Sequence, residues 1–436
     1  MNNIALEVPS ILLPKRENIQ KWPAIACDQF TQDRDYWEKA KNYTGDSPST
    51  LNLIFPEIYL VDEGVEKRIA GIHSAMNNYL DNGVFDAPRS GFIYIERDTP
   101  YQKKRRGLVA AVDLEEYEWQ PNARPLIRCT EGTVPERLPP RMDIRRGAPL
   151  ELHHVLLLVD DDENSLLPPL GEKVKNTSPV YDTQLMMNSG NVKGWFLSDK
   201  IDIDFINEKL DKLCARSLTR YKGDKPFLYA VGDGNHSLAA AKGIWEEVKA
   251  NLLKQGSGSG IPAHPCRYAL VEIVNIYDPA IEFEPIHRVV FNIDYDGIIA
   301  LLSALPDFSC APVKSEDELS KLCAKTDTGN RFGVTYQGRH ALVKTSADGI
   351  ATACLQPLLD KFAGANPQLI DYIHGEDEVF RLAENKSQKA AGILLPPVQK
   401  SGLFETVARL GPLPRKSFSM GHSPEKRFYM ECRRLG

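Results

Sequence analysis

The sequence has little of what marks secreted, disulfide-linked or membrane-spanning proteins. Its 8 cysteines are scattered singly through 436 residues, and none forms a Cys-X-X-Cys pair. Isolated cysteines argue against a disulfide framework or a zinc cluster, and they are typical of reduced thiols in the cytosol. No apolar run approaches the roughly 20 residues that a membrane-spanning helix needs, and the chain opens without a basic segment leading into an apolar core. We therefore expect a cytoplasmic protein without a membrane partner.

A strong excess of positive charge is also lacking. With 53 basic and 59 acidic residues the formal net charge is −6, which argues against bulk attraction to nucleic acid or to an anionic membrane. A basic run at positions 103–106 lies between Pro100 and Gly107, a setting typical of a solvated turn. Nucleic acid is therefore not expected as a partner.

Length and local composition indicate how the chain is organised. At 436 residues the chain can form two or three domains, or one large α/β domain with insertions. The segment 256–260 consists of glycine and serine, and we predict that it separates two regions. Residues 1–255 would be an N-terminal α/β region that carries the main motif, and residues 261–436 an α+β region, either separate or part of the same compact domain. The alternation of strands and helices predicts an α/β (α+β) fold with a mixed sheet and flanking helices.

The most informative segment is 227–242, which reads as an apolar strand, a tight turn and an Ala-rich helix that begins near Ser237. The turn consists of Gly232, Asp233, Gly234, Asn235 and His236. A strand that passes through a Gly-X-Gly turn into a helix brings free backbone N–H groups and the positive end of the helix dipole to one point. Acid, amide and imidazole side chains crowd the same point. The segment therefore predicts chemistry on a phosphate.

A purely structural interpretation of the turn is the alternative. The two glycines could serve only to permit a positive φ, with Asp233 or Asn235 capping the helix and His236 bonded in the core. One cap is enough for a helix, however, and three polar side chains in succession exceed what capping requires. This excess favours the functional interpretation.

Arginines form a second pattern. Arg128 lies on a strand that leads into a polar loop containing Glu131, and Arg137, Arg141 and Arg145 then recur every four residues. On a helix these three would share one face. Such a face is either solvated and paired with carboxylates or a clamp on a polyphosphate, since guanidinium groups match phosphate oxygens.

Histidines and aspartates flank the apolar run at 155–159. His153 and His154 precede it, and three aspartates follow at 160–162. Adjacent residues of a strand point to opposite faces, so the two histidines cannot easily bind one metal ion. The acidic trio is typical of a solvated strand end, with a Mg²⁺ site as the alternative.

Five motifs in order carry a resemblance to a known family. They are Cys27-Asp28, the Ile-Arg-Cys-Thr-Glu-Gly-Thr-Val-Pro segment at 127–135, the turn at 232–236, Ile-His-Arg-Val-Val at 286–290 and Leu-Pro-Arg-Lys-Ser at 413–417. Over nearly the whole chain they resemble the bacterial and archaeal domain-of-unknown-function family 1015 (DUF1015). That family usually reads Asp-Gly-His-His-Arg at the turn, whereas this chain has Asn235 for the first His and Ser237 for the Arg. The chain thus departs from the family at two positions of the turn.

The turn is also similar to one shared by the partition protein ParB, by sulfiredoxin and by an archaeal kinase of free serine. In those proteins the strand, the turn and the helix N-terminus bind nucleotide phosphates, and the likeness implies such a site here. ParB partners with DNA, whereas this chain is net acidic. Sulfiredoxin needs a reactive Cys where this chain has Asn235 or His236. Of the three, the small-molecule kinase fits best.

The resemblance implies a nucleotide-dependent phosphotransferase acting on a small hydroxy metabolite, with free serine or phosphoserine as the first substrates to try. It implies Mg²⁺ and ATP or ADP as cofactors, and a nucleotide and a small molecule as partners. The catalytic candidates are Asp233, His236, Glu131 and Asp28, and Asp233 is also the candidate Mg²⁺ ligand. The candidates for binding phosphate or nucleotide are Gly232, Gly234, Asn235, Ser237, Arg128, Arg415 and Lys416. The alternatives are a phosphoester hydrolase similar to a phosphoserine phosphatase and a non-catalytic, ParB-like nucleotide-binding regulator. The oligomeric state is left open.

Overall fold

The computed structural model of the chain describes residues 4–101, 104–120, 123–152, 154–325, 330–387 and 389–435. The chain forms two compact units, of which the first comprises Met1–Ile281 and His422–Gly436 and the second comprises Glu282–Gly421. The Gly/Ser segment at 256–260, where the sequence predicts a boundary, lies inside the first unit. The first unit is therefore made of two separate stretches of the chain, and the second unit is inserted between them.

The first unit combines strands and helices. Its strands are β1 (Leu6–Glu7), β2 (Ser10–Ile11), β3 (Ala24–Ile25), β4 (Arg89–Ser90), β5 (Phe92–Asp98), β6 (Lys104–Asp113), β7 (Tyr117–Glu118), β8 (Ile127–Cys129), β9 (Leu150–Glu151), β10 (Leu156–Val159), β11 (Tyr181–Gln184), β12 (Asn191–Leu197), β13 (Tyr229–Asp233) and β14 (Tyr268–Asn275), and after the second unit β22 (Phe428–Tyr429) and β23 (Arg433–Arg434). Its helices are α1 (Arg34–Thr44), α2 (Val65–Asp81), α3 (Leu138–Arg145), α4 (Leu167–Val174), α5 (Lys200–Arg220) and α6 (Asn235–Lys254).

A mixed sheet lies at the centre of the first unit. Within the described residues it has ten strands in the order β11-β12-β5-β6-β14-β10-β13-β8-β7, with β1 paired to β6. Alternate residues of β5 belong to different apolar clusters, since Phe92 and Tyr94 lie in one and Ile93 and Ile95 in the other. Successive side chains of a strand point to opposite faces, so the sheet is covered on both faces. This explains why β10 consists of apolar residues throughout.

One edge of this sheet positions the turn motif. β13 is parallel to β8 and antiparallel to β10, with Leu156 opposite Asp233. The last residues of β8 and β13 and the first residue of β10 therefore meet at the same edge. The helix that leaves this edge, α6, buries Leu238, Ala239 and Trp245 in the apolar cluster on one face of the sheet. Its small residues let it approach the sheet closely.

The basic run at 103–106 is not the solvated turn that the sequence predicts. β6 begins at Lys104, and Arg105 is 5 % exposed, while position 103 lies outside the described residues. Arg105 Nη1 donates to the backbone oxygen of Glu425 at 3.0 Å, and its Nε lies 3.5 Å from Glu272 Oε1. The guanidinium is buried because carboxylate and carbonyl partners replace water around it.

Arg105 is part of a buried cluster of charges. Arg427 donates a hydrogen bond to Glu272 and another to Glu431, each at 2.5 Å. Arg97 on β5 lies opposite Arg105 on β6 in the strand register. Burial and the neighbouring charge of Arg105 lower the pKa of Arg97 to about 9. Burial alone would raise the pKa of Glu272, but the charges of Arg105 and Arg427 hold it below its usual value. The cluster links the central strands to the chain at 425–431.

The second unit has its own sheet and core. Its strands are β15 (Phe283–Phe291), β16 (Ser309–Val313), β17 (Asn330–Tyr336), β18 (Arg339–Thr345), β19 (Ile370–His374), β20 (Ala390–Leu394) and β21 (Phe418–Met420). Its helices are α7 (Tyr295–Leu302), α8 (Glu316–Cys323), α9 (Ala351–Ala363), α10 (Glu376–Ala383) and α11 (Lys400–Leu410). The strands pair in the order β16-β18-β17-β20-β15-β19, with β21 also paired to β15, and every one of these pairs is antiparallel.

The predicted fold class is confirmed. The structure is a mixed α/β fold with a large mixed sheet and flanking helices. Of the helices in the described ranges, none combines the length and apolar character that crossing a membrane demands.

Candidate functional site

The predicted strand, turn and helix are present in the first unit. β13 ends at Asp233, Gly234 has a φ of 81°, and α6 begins at Asn235, slightly before the predicted start at Ser237. Glycine adopts a φ of this sign readily, whereas other residues rarely do. A Cβ atom at Gly234 would also lie 3.1 Å from Val155 Cα. Both the backbone conformation and the close approach of the chain at Val155 therefore require glycine.

Gly234→Ala should lower the free energy of unfolding more than alanine does at another glycine of positive φ. The left-handed conformation costs alanine about 1–2 kcal/mol, and overpacking against Val155 adds about 1–3 kcal/mol. Gly256→Ala is the matched control, because Gly256 has a φ of 71° and no described atom lies within 4 Å of the point that a Cβ there would occupy. Urea unfolding measures both variants. Equal losses would show that the approach of Val155 plays no part.

The first turn of α6 has backbone donors without an acceptor inside the helix. Its first hydrogen bond runs from Leu238 N to Gly234 O at 3.0 Å, so the N–H groups of Asn235, His236 and Ser237 have no partner within the helix. The N-cap residue is glycine and supplies no side-chain cap. All three residues are half-buried. Three N–H groups and the positive end of a helix thus meet at one point, which is the arrangement that binds an anion.

Asp233 is held by the turn and by a lysine from the last stretch of the chain. Its Oδ1 accepts a hydrogen bond from Gly234 N at 2.9 Å, and its Oδ2 lies 3.2 Å from Lys426 Nζ. The side chains of Asp233 and Lys426 are 17 % and 10 % exposed. Water therefore screens this ion pair little. The carboxylate and the ammonium both lie where the N–H groups of α6 begin.

A second carboxylate, Asp28, pairs with His154. Asp28 Oδ2 lies 3.5 Å from His154 Nε2, and Asp28 Oδ1 accepts a hydrogen bond from Gln29 Nε2 at 3.0 Å. Burial alone would raise the pKa of Asp28, but the charge of His154 and these hydrogen bonds hold it well below its usual range. Burial alone would lower the pKa of His154, but the Asp28 carboxylate holds it well above its usual value. The pair is therefore carboxylate and imidazolium at neutral pH.

His154 links this pair to the turn. Its Cδ2 lies 3.4 Å from the position of a Cβ atom on Gly234, and its Nδ1 lies 2.7 Å from Tyr429 Oη. Tyr429 Oη lies 3.2 Å from Cys27 Sγ. An imidazolium has two N–H donors, so His154 donates to Asp28 and to the tyrosine, and the tyrosine hydroxyl donates to the sulfur.

Asp28→Asn should lower the pKa of His154 and make the loss of stability depend on pH. The folded-state pKa of His154 lies above the value of about 6.5 for an unfolded chain, so the contribution of the pair is full below that pH and is lost as pH rises through the folded-state pKa. We expect the variant to lose about 2 kcal/mol at pH 6 and less at pH 9. Imidazole NMR titration and urea unfolding at both pH values measure this. An unchanged His154 titration would contradict the assignment.

His236 takes one hydrogen bond from the neighbouring loop. Its Nε2 accepts from Val134 N at 3.2 Å. Burial, together with the charges of Arg141 and Arg137, lowers the pKa of His236 to about 4. The imidazole is therefore neutral at pH 7 and carries its proton on Nδ1. It can donate one hydrogen bond from that atom, but it carries no positive charge at pH 7.

The loop after β8 runs beside the turn. Cys129 lies opposite Val231 in the parallel pair of β8 and β13, and Thr130 Oγ1 donates to Val231 O at 2.6 Å. Glu131 follows directly. Because the ends of parallel strands share one sheet edge, Glu131 lies at the edge where β13 ends in Asp233.

Two buried polar atoms near the turn have no hydrogen-bond partner in the described part of the chain. They are Asn235 Oδ1 and Thr133 Oγ1. Buried polar atoms are nearly always paired, and an unpaired one calls for an explanation such as a missing ligand or water. Both atoms can accept a hydrogen bond. The site therefore has acceptors available for a hydroxyl or ammonium group.

Arg128 lies at the other end of the strands. Its Nε donates to Pro125 O at 3.0 Å and its Nη2 to Pro226 O at 3.4 Å, and its guanidinium lies 4.6 Å from the centre of the Phe227 ring. Burial lowers the pKa of Arg128 to about 10. The two prolines precede β8 and β13, whereas the turn follows their ends. The structure does not bring this guanidinium to the turn.

The predicted arginine stripe lies on α3. Arg141 contacts Glu57, and Arg145 Nη2 lies 2.6 Å from Glu151 Oε1. Arg137 is exposed and immediately precedes the helix. Arg141 and Arg145 are therefore paired with carboxylates, as the first interpretation expects. Their side chains are only 16 % and 15 % exposed, however, so they do not form the solvated face of that interpretation.

Arg415 and Lys416 lie in the second unit and are exposed. The Arg415 guanidinium lies 5.7 Å from the centre of the Tyr372 ring, and Lys416 O accepts a hydrogen bond from Arg288 at 3.0 Å. The turn and Asp28 belong to the first unit. A role of these two side chains in phosphate binding stays a prediction.

Two members of the acidic trio at 160–162, Asp160 and Asp162, are paired with arginines of α5, whereas Asp161 is buried and accepts hydrogen bonds from Ser165 Oγ and Leu166 N. Arg216 lies 2.7 Å from one oxygen of Asp162, Arg220 lies 2.7 Å from the other, and Arg220 also lies 3.0 Å from Asp160. His153 lies outside the described residues. Over the described ranges, no three His, Cys, Asp or Glu side chains are grouped so that they could hold a metal ion.

A family profile described as "Protein of unknown function (DUF1015)" matches residues 10–362. The chain belongs to this family. In this DUF1015 protein the matched region includes Asp28, the loop after β8 and the whole turn. It ends before Lys426 and Tyr429, which complete the site from the last stretch of the chain.

Solved structures of low similarity also match. A conserved hypothetical protein from Pyrococcus furiosus has a TM-score of 0.35 and 13 % identity, over 74 % of this chain and 94 % of that chain. A free serine kinase in complex with AMP has a TM-score of 0.37 and 12 % identity, over 77 % and 95 %. SbnI with a C-terminal truncation, from Staphylococcus aureus, has a TM-score of 0.35 and 10 % identity, over 72 % and 82 %. These similarities do not assign a ligand or an activity to this DUF1015 protein. A search of curated proteins found no match.

Sequence patterns missed Lys426 and Tyr429 and gave His154 no role in the site. The position of His154 could have indicated its role, because it lies two residues before β10, the strand that pairs with β13. No local pattern marks Lys426 or Tyr429. Their partners Asp233 and His154 lie far away in the sequence.

Proposed function

We propose that this DUF1015 protein is a nucleotide-dependent phosphotransferase that acts on a small hydroxy metabolite, with free serine and phosphoserine as the first substrates to test. The observation that carries the proposal is the convergence of three N–H groups at the start of α6 with the Asp233–Lys426 pair. The N–H groups account for binding of a phosphate. The adjacent carboxylate and ammonium account for chemistry on it.

The proposed step transfers the terminal phosphoryl group of ATP. The hydroxyl oxygen of the acceptor bonds to the terminal phosphorus, the bond from that phosphorus to the bridging oxygen breaks, and ADP leaves with that oxygen. The hydroxyl proton passes to a carboxylate. Transition states of this kind are loose, so the protein contributes chiefly by positioning groups and neutralising charge.

Each side chain of the site has a role in this proposal. The N–H groups at 235–237 and the Nδ1–H of His236 hold phosphate oxygens. Lys426 neutralises charge beside Asp233. Asp28 is a poor proton acceptor because His154 keeps its pKa low, and it serves to hold the imidazolium in place.

Asp233 and Glu131 remain as candidates for the carboxylate that takes the proton. Asp233 is bonded to the turn itself, so it lies directly beside the cradle. Asn235 Oδ1 and Thr133 Oγ1, buried without described partners, suit the hydroxyl or ammonium group of the acceptor. A small polar metabolite would satisfy both.

The residues fit a magnesium ion that arrives with phosphate. Mg²⁺ usually takes one or two carboxylates from the protein and its remaining ligands from phosphate and water. Asp233 offers one carboxylate, whose oxygens contact Gly234 N and Lys426. When bound, the ion would supply positive charge that neutralises part of the charge of the phosphate. Asp233 would hold the ion, and Lys426 would add a second positive charge beside it.

The first experiment incubates the full chain with ATP, Mg²⁺ and serine and follows the products by ³¹P NMR. Phosphoserine and ADP in equal amounts are expected. Phosphate released from phosphoserine without nucleotide would instead indicate a phosphoester hydrolase. Calorimetric binding of ATP without product from any hydroxy compound would indicate a non-catalytic nucleotide-binding regulator.

Ser237→Asp tests the cradle directly. A carboxylate at this position suits the first turn of a helix, but it repels a phosphate. We expect ATP binding to fall at least about tenfold with no loss of thermal stability. Ser257→Asp is the matched control, because Ser257 is exposed in the loop after α6. Unchanged ATP affinity in Ser237→Asp would rule out the turn as the phosphate site.

A further inference from the structure

The second unit contains a cleft of about 290 Å³ that the proposed function does not use. Its described lining comes from the start of α9, from α11, from the start of β17 and from the loop after β20. All of these elements lie within the second unit. The volume is just below the usual range for small-molecule sites, roughly 300–1,000 Å³, so the cleft suits a small ligand.

Two helices begin at this cleft without a side-chain cap. The first hydrogen bonds at their starts run from Ala353 N to Ile350 O at 2.9 Å and from Gly402 N to Gln399 O at 3.1 Å. The N-cap residues Ile350 and Gln399 supply no side-chain acceptor. The earlier N–H groups of both helices therefore have no acceptor inside the helix. Two positive helix ends at one cleft favour an anion.

A buried hydroxyl in the cleft independently calls for a ligand. Thr352 lines the cleft and is 3 % exposed, and its Oγ1 is buried with no hydrogen-bond partner among the described residues. Leaving a buried hydroxyl unpaired costs about 1–3 kcal/mol. A ligand oxygen in the cleft would remove that cost.

The charges of the lining agree with an anionic ligand. Lys325, Arg331 and Arg409 are cationic, and Glu405 is the carboxylate among the described lining residues. Arg409 already lies 2.8 Å from Asp348 Oδ2. Lys325 and Arg331 add further positive charge to the lining.

We propose that this cleft binds a small metabolite through a phosphate or carboxylate group, held by the first turns of α9 and α11, the Thr352 hydroxyl and the charge of Arg331 and Lys325. The site is separate from the turn at 232–237 and does not depend on the function proposed for it. Phosphate and carboxylate groups are both oxyanions, and the experiment below distinguishes which of the two the cleft binds.

The test is an NMR titration of the full chain labelled with ¹⁵N-threonine and ¹⁵N-glycine. Inorganic phosphate and succinate are added separately at constant ionic strength, and the Thr352 amide is followed. We expect a saturable shift with at least one of the two anions. Tighter binding of phosphate would identify a phosphate ligand, and tighter binding of succinate a carboxylate.

Gly402→Asp separates a specific site from weak surface binding. An aspartate in the first turn of α11 suits the helix, and no described atom lies within 4 Å of a Cβ at Gly402, so folding should be kept. The variant should weaken binding at Thr352 at least about tenfold. Gly260→Asp, placed at an equally open glycine of the first unit, should leave it unchanged. The proposal is overturned if neither anion gives a saturable shift, or if Gly402→Asp binds as tightly as the unaltered chain.

Discussion

Asp233→Asn is expected to lower kcat/KM of the proposed phosphotransfer by about 10²–10⁴-fold while the protein stays folded. The substitution keeps the shape of the side chain and an acceptor for Gly234 N, but it removes the charge that Lys426 faces at 3.2 Å. Initial rates with ATP and serine measure the effect, and thermal unfolding shows that the fold is kept. Turnover at the original rate would exclude Asp233 from the reaction.

The same variant separates two roles of the carboxylate. If Asp233 holds Mg²⁺, the variant should lose the gain in ATP affinity that Mg²⁺ gives the unaltered chain. If Asp233 takes the proton, that gain should stay and the rate should fall. Asp182→Asn is the matched control, because Asp182 pairs with Lys193 on an exposed part of β11 and should alter neither quantity.

Glu272→Gln should lower the free energy of unfolding by about 3–5 kcal/mol, as expected when one partner of a buried ion pair loses its charge. Glu272 is fully buried, accepts a hydrogen bond from Arg427 at 2.5 Å and lies 3.5 Å from Arg105. Without its charge, Glu272 no longer opposes the repulsion among Arg97, Arg105 and Arg427, and Glu431, which accepts a hydrogen bond from Arg427, opposes it only in part. Urea unfolding measures the loss.

Glu247→Gln is the control for this prediction. Glu247 also pairs with an arginine, Arg146, at 2.9 Å, but the two side chains are 43 % and 49 % exposed. Exposed pairs contribute about 0–1 kcal/mol. A loss in Glu272→Gln as small as that of the control would show that the buried guanidinium groups do not need the carboxylate.

Local patterns predicted the parts of the structure that local physics determines. The strand, turn and helix around 232–236 are recognisable because a Gly-rich turn follows an apolar run and precedes an Ala-rich segment. The fold class follows from alternating strands and helices. The start of α6 was placed too late. Gly234 takes the N-cap position with its positive φ, so Asn235 already belongs to the helix.

Contacts between residues far apart in the sequence determine the features that local patterns did not predict. Arg105 reads as part of a solvated basic run, yet it is buried because Glu272 and the carbonyl of Glu425 come to it from distant parts of the chain. His154 reads as one of two histidines that cannot share a metal ion. Its pairing with Asp28 depends on the tertiary fold.

Because two stretches of chain form the first unit, the residues of the candidate site are synthesised at different times. Ribosomes produce Asp28 and the turn before the second unit, but Lys426 and Tyr429 emerge only after all of Glu282–Gly421 has been made. A nascent or prematurely ended chain would carry the cradle without its ammonium group. The Asp233–Lys426 ion pair can therefore form only after the whole second unit has been synthesised.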